Sequence, residues 1–226
     1  VRLTTGGGGR GPTPRWRRDA LPRDDGRVSL ALPRPSMKES ATSRRQRLID
    51  GAQNISRMCL VCGRDNPFGL RARFYELAPD EPAAAGAGAP APAAGRELLG
   101  VFTPREEHQS YPGLLHGGVS AAILDETIGR AILLVQPGAW GVTAELTIRF
   151  RKPLPLDEEI RCVARVTRDT SRLFEGRGEI LLADGSVAAA ASGRYVKRSL
   201  DDITDGAFAE REWFADPREA PEGVDL

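Results

Sequence analysis

Residues 115–135 read Leu115-His116-Gly117-Gly118-Val119-Ser120-Ala121-Ala122-Ile123-Leu124-Asp125-Glu126-Thr127-Ile128-Gly129-Arg130-Ala131-Ile132-Leu133-Leu134-Val135. Apolar side chains fall on nearly every side of a helix drawn through 117–135, so that helix is expected to be buried all round. Pro137-Gly138 ends it. Beyond it, Val142, Ala144, Leu146, Ile148 and Phe150 alternate with Thr143, Glu145, Thr147, Arg149 and Arg151, the period of a strand. Residues 160–168 alternate as well, and 174–182 and 187–198 flank a hairpin turn at Asp184-Gly185. Before the helix, 70–77 and 97–102 also read as strands. They bracket 79–95, an Ala/Pro/Gly stretch expected to be a flexible insert. Two strands, one buried helix and four strands point to the α+β class: an antiparallel sheet wrapped around the helix buries all its sides.

The rest of the chain is read around this unit. Its 226 residues suit one core with some unstructured excess. The net charge is only +1, which points to neither a nucleic acid nor a membrane surface as partner. The charge is unevenly spread: residues 1–58 hold 13 Lys/Arg against 5 Asp/Glu, and the remainder 19 against 26. Residues 1–56, with Gly6-Gly7-Gly8-Gly9 and scattered arginines, read as a disordered basic arm. The first methionine is Met37, so a start there would leave 1–36 outside the native protein. Residues 57–200 read as the folded domain and 201–226 as an acidic tail with Trp213 and Phe214 as candidate anchors. No apolar stretch has transmembrane length, and residues 1–20 lack a signal-peptide core. Three cysteines, with only Cys59 and Cys62 close in sequence, argue against a disulfide framework and for a reducing, cytoplasmic compartment.

Two features of 115–135 bear on chemistry. Gly117 and Gly118 at a helix start offer unpaired N–H groups and the positive dipole end, suited to an anion or a carbonyl oxygen gaining charge. A plain turn into the helix would use the same residues. Asp125 and Glu126 are carboxylates in an apolar run, costly unless paired or used. Glu126 has Arg130 four residues on, the spacing of a helix ion pair. Asp125 has no basic residue three or four positions away, which makes it the candidate for function. Eight residues separate Gly117 from Asp125, about 12 Å of helix rise. Attack on one carbonyl carbon needs contact at ~3 Å, so a site using both requires a second subunit.

Residues 113–126, Gly-Leu-Leu-His-Gly-Gly-Val-Ser-Ala-Ala-Ile-Leu-Asp-Glu, resemble the signature of the phenylacetic-acid-type (PaaI-like) hotdog thioesterases. Residues 59–70, Cys-Leu-Val-Cys-Gly-Arg-Asp-Asn-Pro-Phe-Gly-Leu, resemble an amino-terminal motif of a subset of that family. The resemblance runs from about Cys59 to Lys197, omitting the Ala/Pro insert. It implies a sheet around a central helix, homodimers or dimers of dimers, and hydrolysis of acyl-CoA without a cofactor. It implies that the Gly117 N–H polarises the thioester carbonyl and that Asp125, from across the dimer, is base or nucleophile. His116 would help hold the thioester end, beside Gly118 and Glu126, and Thr143 would position the attacking water. Ser110 stands where many relatives carry an asparagine, so a second carbonyl contact differs here. Arg151 and Lys152, before Pro153, are placed to meet coenzyme A phosphates or to remain solvated.

A binding module of the same fold would hold acyl-CoA without turnover, but residues 1–58 show no helix-turn-helix output domain. A hotdog dehydratase would need a histidine shortly after the helix aspartate, and none follows Asp125. Cys59-x-x-Cys62 is half of a zinc site, and Cys162, His108 and His116 would have to complete it. A free-thiol loop without metal is the expectation. Phe102, Trp140 and Phe174 are expected to wall the acyl pocket.

Overall fold

The computed structural model describes residues 46–79, 96–204 and 208–226. Strands β1 (Gln46–Ala52), β2 (Ile55–Ser56), β3 (Arg73–Leu77), β4 (Glu97–Phe102), β5 (Gln109–Tyr111) and β6 (Leu114–Leu115) lead into helix α1 (Gly117–Arg130). A 3-10 turn, Ala131–Leu134, extends α1. Then come β7 (Trp140–Phe150), β8 (Ile160–Asp169), β9 (Leu173–Leu181) and β10 (Val187–Arg198). The chain continues through α2 (Leu200–Ile203), α3 (Phe208–Arg211), β11 (Trp213–Phe214) and β12 (Gly223–Asp225).

Eight strands form one antiparallel sheet in the order β12-β1-β3-β4-β8-β9-β10-β7. Helix α1 lies against β4, β7, β8, β9 and β10. Ile123, Leu124 and Ile128 are fully buried there among Phe74, Leu98, Phe174, Ile180 and Tyr195. The expected central helix thus supplies the core of the fold, but it is not buried on all sides: Gly117 and Gly118 are exposed and Ala121, Ala122, Asp125, Glu126 and Gly129 only half-buried, so the sheet covers one side of α1. The approach is closest at β9: a Cβ on Gly176 would stand 2.5 Å from Ile128 Cγ2, and one on Gly178 2.9 Å from Ile128 Cγ1. Only hydrogen at these positions lets the helix seat on the strand.

Three expectations need correction. The disordered arm does not reach residue 56, because β1 begins at Gln46 and β2 follows. Few apolar residues mark β1; its order comes from strands on both sides, β3 and β12, and from buried Arg47, which donates to Glu97 and to the Ala78 carbonyl. The strand expected at 70–77 starts only at Arg73, since Arg71 turns the chain with φ +53°. Residues 201–226, expected as an acidic tail outside the folded domain with Trp213 and Phe214 as candidate anchors, join the sheet through β12. Ala220, Val224 and Leu226 cover a second apolar cluster around Tyr75, Leu77, Leu99 and Val163 on the other face of the sheet. Trp213 stacks edge-on against Trp140. The rest of the arm and the insert from 80 to 95 lie outside the described residues.

Candidate active site

Strand β7 pairs with β10 so that Thr143 stands opposite Tyr195, just past an irregularity at Arg194 that leaves Ala144 unmatched. Partners directly opposite in a ladder project to the same face. Both hydroxyls reach one group on α1, the half-buried carboxylate of Asp125. Thr143 Oγ1 lies 2.9 Å from Asp125 Oδ1 and 3.1 Å from Oδ2, and Tyr195 donates to Oδ1 at 3.0 Å. Burial, and then the negative Asp125 beside it, push the Tyr195 phenol well above its ordinary range, so it stays a donor. Oδ1 is thus held twice, while Oδ2 keeps capacity to accept from a water. The carboxylate borders a small cleft of about 150 Å³ lined also by Glu126, Arg130, Trp140 and Gly141.

At the helix start, His116 is the N-cap, and its Nδ1 accepts from the Gly118 N–H at 2.9 Å. The proton of the neutral ring is then on Nε2. One N–H of the glycine pair is used in this way. The Gly117 N–H takes no partner among the described residues and remains available to a ligand. Gly117 opens onto a cleft of about 290 Å³ with Ser120, Phe150, Arg151, Lys152 and Leu154. Arg151 and Lys152 are exposed on it, and Lys152 Nζ donates to Ser186 at 2.8 Å. Ser110 is exposed on β5.

The structure thus brings Asp125 and Thr143 together, and separately Gly117, Arg151 and Lys152. It does not bring the two groups into one cleft within the chain. Glu126 makes the expected pair with Arg130, at 2.7 Å. Tyr195 is the site residue that sequence reading missed. Its signal was parity: in β10 it shares the buried side with Ala191 and Gly193, and a tyrosine on a core face needs a partner for its hydroxyl. Of the expected pocket wall, only Trp140 lines the Asp125 cleft. Phe174 is fully buried and stacks on Tyr195 with ring centroids 4.9 Å apart, and Phe102 is core. His108 is buried and structural. It accepts from the Arg105 N–H, bonds the Phe68 carbonyl, and offers its own carbonyl to the His116 N–H.

Residues 112–189 match the family model described as "Thioesterase superfamily". The human acyl-coenzyme A thioesterase 13 is 35% identical over 68 residues, 30% of this chain and 49% of that protein. Its mouse counterpart is 30% identical over 81 residues, 36% of this chain and 58% of that protein. The chain thus spans about half the length of the curated relatives it matches. A solved thioesterase superfamily protein is 27% identical, with a TM-score of 0.49 over 70% of this chain and 73% of that one. The matched segment holds α1, β7, β8, β9, the lining of the Gly117 cleft and that of the Asp125 cleft except Tyr195, so over this stretch the chain is similar to the thioesterase superfamily, and its sheet around one long helix is the hotdog fold.

Proposed function

We propose that this chain is a PaaI-like acyl-CoA thioesterase, converting acyl-CoA and water to a carboxylic acid and free coenzyme A. The observation that carries this reading is the Asp125 carboxylate, braced by Thr143 and Tyr195 with Oδ2 left to accept. Asp125 takes a proton from water as it attacks the thioester carbon, or attacks that carbon itself. The Gly117 N–H, at the positive end of α1, donates to the developing oxyanion. Collapse breaks the C–S bond and the departing thiolate takes up a proton; where Asp125 itself attacks, water then hydrolyses the acyl-aspartyl anhydride and releases the acid. The names of the human and mouse relatives support this substrate class.

The two halves serve one reaction across a homodimer, alone or in a dimer of dimers. β7 ends the sheet, and its Val142 and Phe150 are 44% and 57% exposed. A long edge with exposed apolar side chains invites pairing with another chain. The Gly117 cleft, with Arg151 and Lys152, suits the phosphates of coenzyme A. No described helix is long and apolar enough to cross a membrane, and free cysteines suit a reducing compartment such as the cytoplasm.

A panel of short, long and aromatic acyl-CoAs, read by release of free thiol, tests the proposal. Turnover of at least one class is expected. Melting-temperature shifts without thiol release would instead make the chain an acyl-CoA-binding module. Tyr195→Phe keeps the ring stack on Phe174 and removes one hydrogen bond, worth about 0.5–1.5 kcal/mol. Turnover is therefore expected to fall by roughly 2- to 10-fold, with the melting temperature lowered by about a few degrees at most. Unaltered turnover would remove Tyr195 from the site.

A further inference from the structure

Behind the Asp125 cleft, the sulfurs of Cys59 and Cys62 and the Glu126 carboxylate lie within 4.8 Å of one another. The chain folds them together by one turn: the Gly63 N–H donates to the Cys59 carbonyl at 2.9 Å, which sets Cys59 and Cys62 on the same side. A Cβ on Gly63 would stand 2.3 Å from that carbonyl oxygen, so the turn depends on glycine. Neither Cys162 nor either histidine joins the cluster. Arg130 occupies the place a metal would need. Its Nη2 is 3.0 Å from Cys62 Sγ and its Nε 2.7 Å from Glu126, and the guanidinium lies over Phe74. A buried cation already satisfying two would-be ligands disfavours a second cation.

We propose that Cys59 and Cys62 form a thiol–disulfide exchange site that reacts with low-molecular-weight disulfides, a role separate from thioester hydrolysis. Cys59 is half-exposed and Cys62 buried, the arrangement of an attacking and a resolving thiol. A hydrogen bond from Cys62, then N–H donors of Cys62 and Val61, hold the Cys59 sulfur down to about 6 against burial and the charge of Glu126. The same shared bond, together with burial, pushes Cys62 up despite Arg130. The pair's negative charge therefore rests on the accessible sulfur. The Cys59 thiolate attacks one sulfur of the incoming disulfide and expels a thiolate. Cys62 passes its proton to that thiolate, attacks Cys59 Sγ and expels the second. The pair loses two electrons and the disulfide becomes two thiols.

The test uses the reduced full chain exposed to oxidised glutathione, followed by alkylation and peptide mapping by mass spectrometry. The expected result is a linked Cys59–Cys62 pair, with Cys162 free and alkylated only after unfolding. Cys162 is fully buried, and burial pushes its thiol to about 12. Cys62→Ser should accumulate glutathione on Cys59, while Cys59→Ser should leave Cys62 unmodified. Alkylation of Cys59 in the wild type should level off by about pH 7, where an ordinary thiol near 8.5 is still rising. The proposal is overturned if both thiols stay free in the wild type, or if Cys59 alkylation follows an ordinary thiol profile. Protection of both cysteines by one equivalent of zinc without oxidant would overturn it in favour of a metal site.

Discussion

Asp125→Asn is expected to cut acyl-CoA turnover by about 10²–10⁴-fold, the usual contribution of a positioned general base. The change is nearly isosteric, and Thr143 and Tyr195 can still donate to the amide oxygen. Folding and oligomer size should therefore be preserved, which circular dichroism and size-exclusion chromatography can check. Glu126→Gln is the informative contrast. Glu126 is bonded to Arg130, whose side chain is only 6% exposed, so weakening that pair should cost stability, about 1–3 kcal/mol. Turnover per folded molecule should change far less. If Glu126→Gln abolishes turnover and Asp125→Asn does not, the roles of the two carboxylates are reversed.

Mixing two inactive variants should restore activity. Gly117 and Asp125 sit about 12 Å apart along one continuous helix and open onto separate clefts. A reaction that uses both must draw them from different chains. Gly117→Leu should block carbonyl approach. It should also fold, because a Cβ at Gly117 would meet only the Phe150 ring, at 3.7 Å, and its backbone has no left-handed requirement. After exchange with Asp125→Asn, half of the dimers are mixed. Each mixed dimer has one site with an intact Gly117 and an intact Asp125, and one site with both lesions. Roughly a quarter of wild-type activity is expected from two-fold symmetry. Activity that stays at the sum of the parents after verified exchange would place each site within a single chain, and the dimer reading would fail.

Much of this was legible in the sequence because the signals were periodic or local. The all-apolar helix, the strands on either side and the i, i+4 pair of Glu126 and Arg130 all follow from spacing along one element. What was hidden depended on partners distant in sequence. β1 carries little apolar pattern and is ordered by β3 and β12. Tyr195 becomes a site residue only through its register with Thr143 on another strand and the helix beneath both. The Gly117 and Gly118 N–H groups look equivalent in the sequence. Only the His116 ring, folding back onto Gly118, leaves Gly117 as the donor free to act. The arginine that occupies the cysteine cluster comes from α1, 68 residues from Cys62.

The partnership of β12 with β1 has a consequence for how the chain comes into being. Arg47 faces Val224 and Leu48 faces Gly223 in the register, so these two strands are joined by residues made far apart in synthesis. A growing chain on the ribosome can assemble α1 against β4 and β7 to β10 while β12 is still unmade. During that interval Tyr75, Leu99 and Val163 have no Val224 or Leu226 to cover them, and β1 has an open edge of the kind that attracts other strands. The outer layer therefore closes only after β12 emerges, and until then the nascent chain carries an edge open to mispairing.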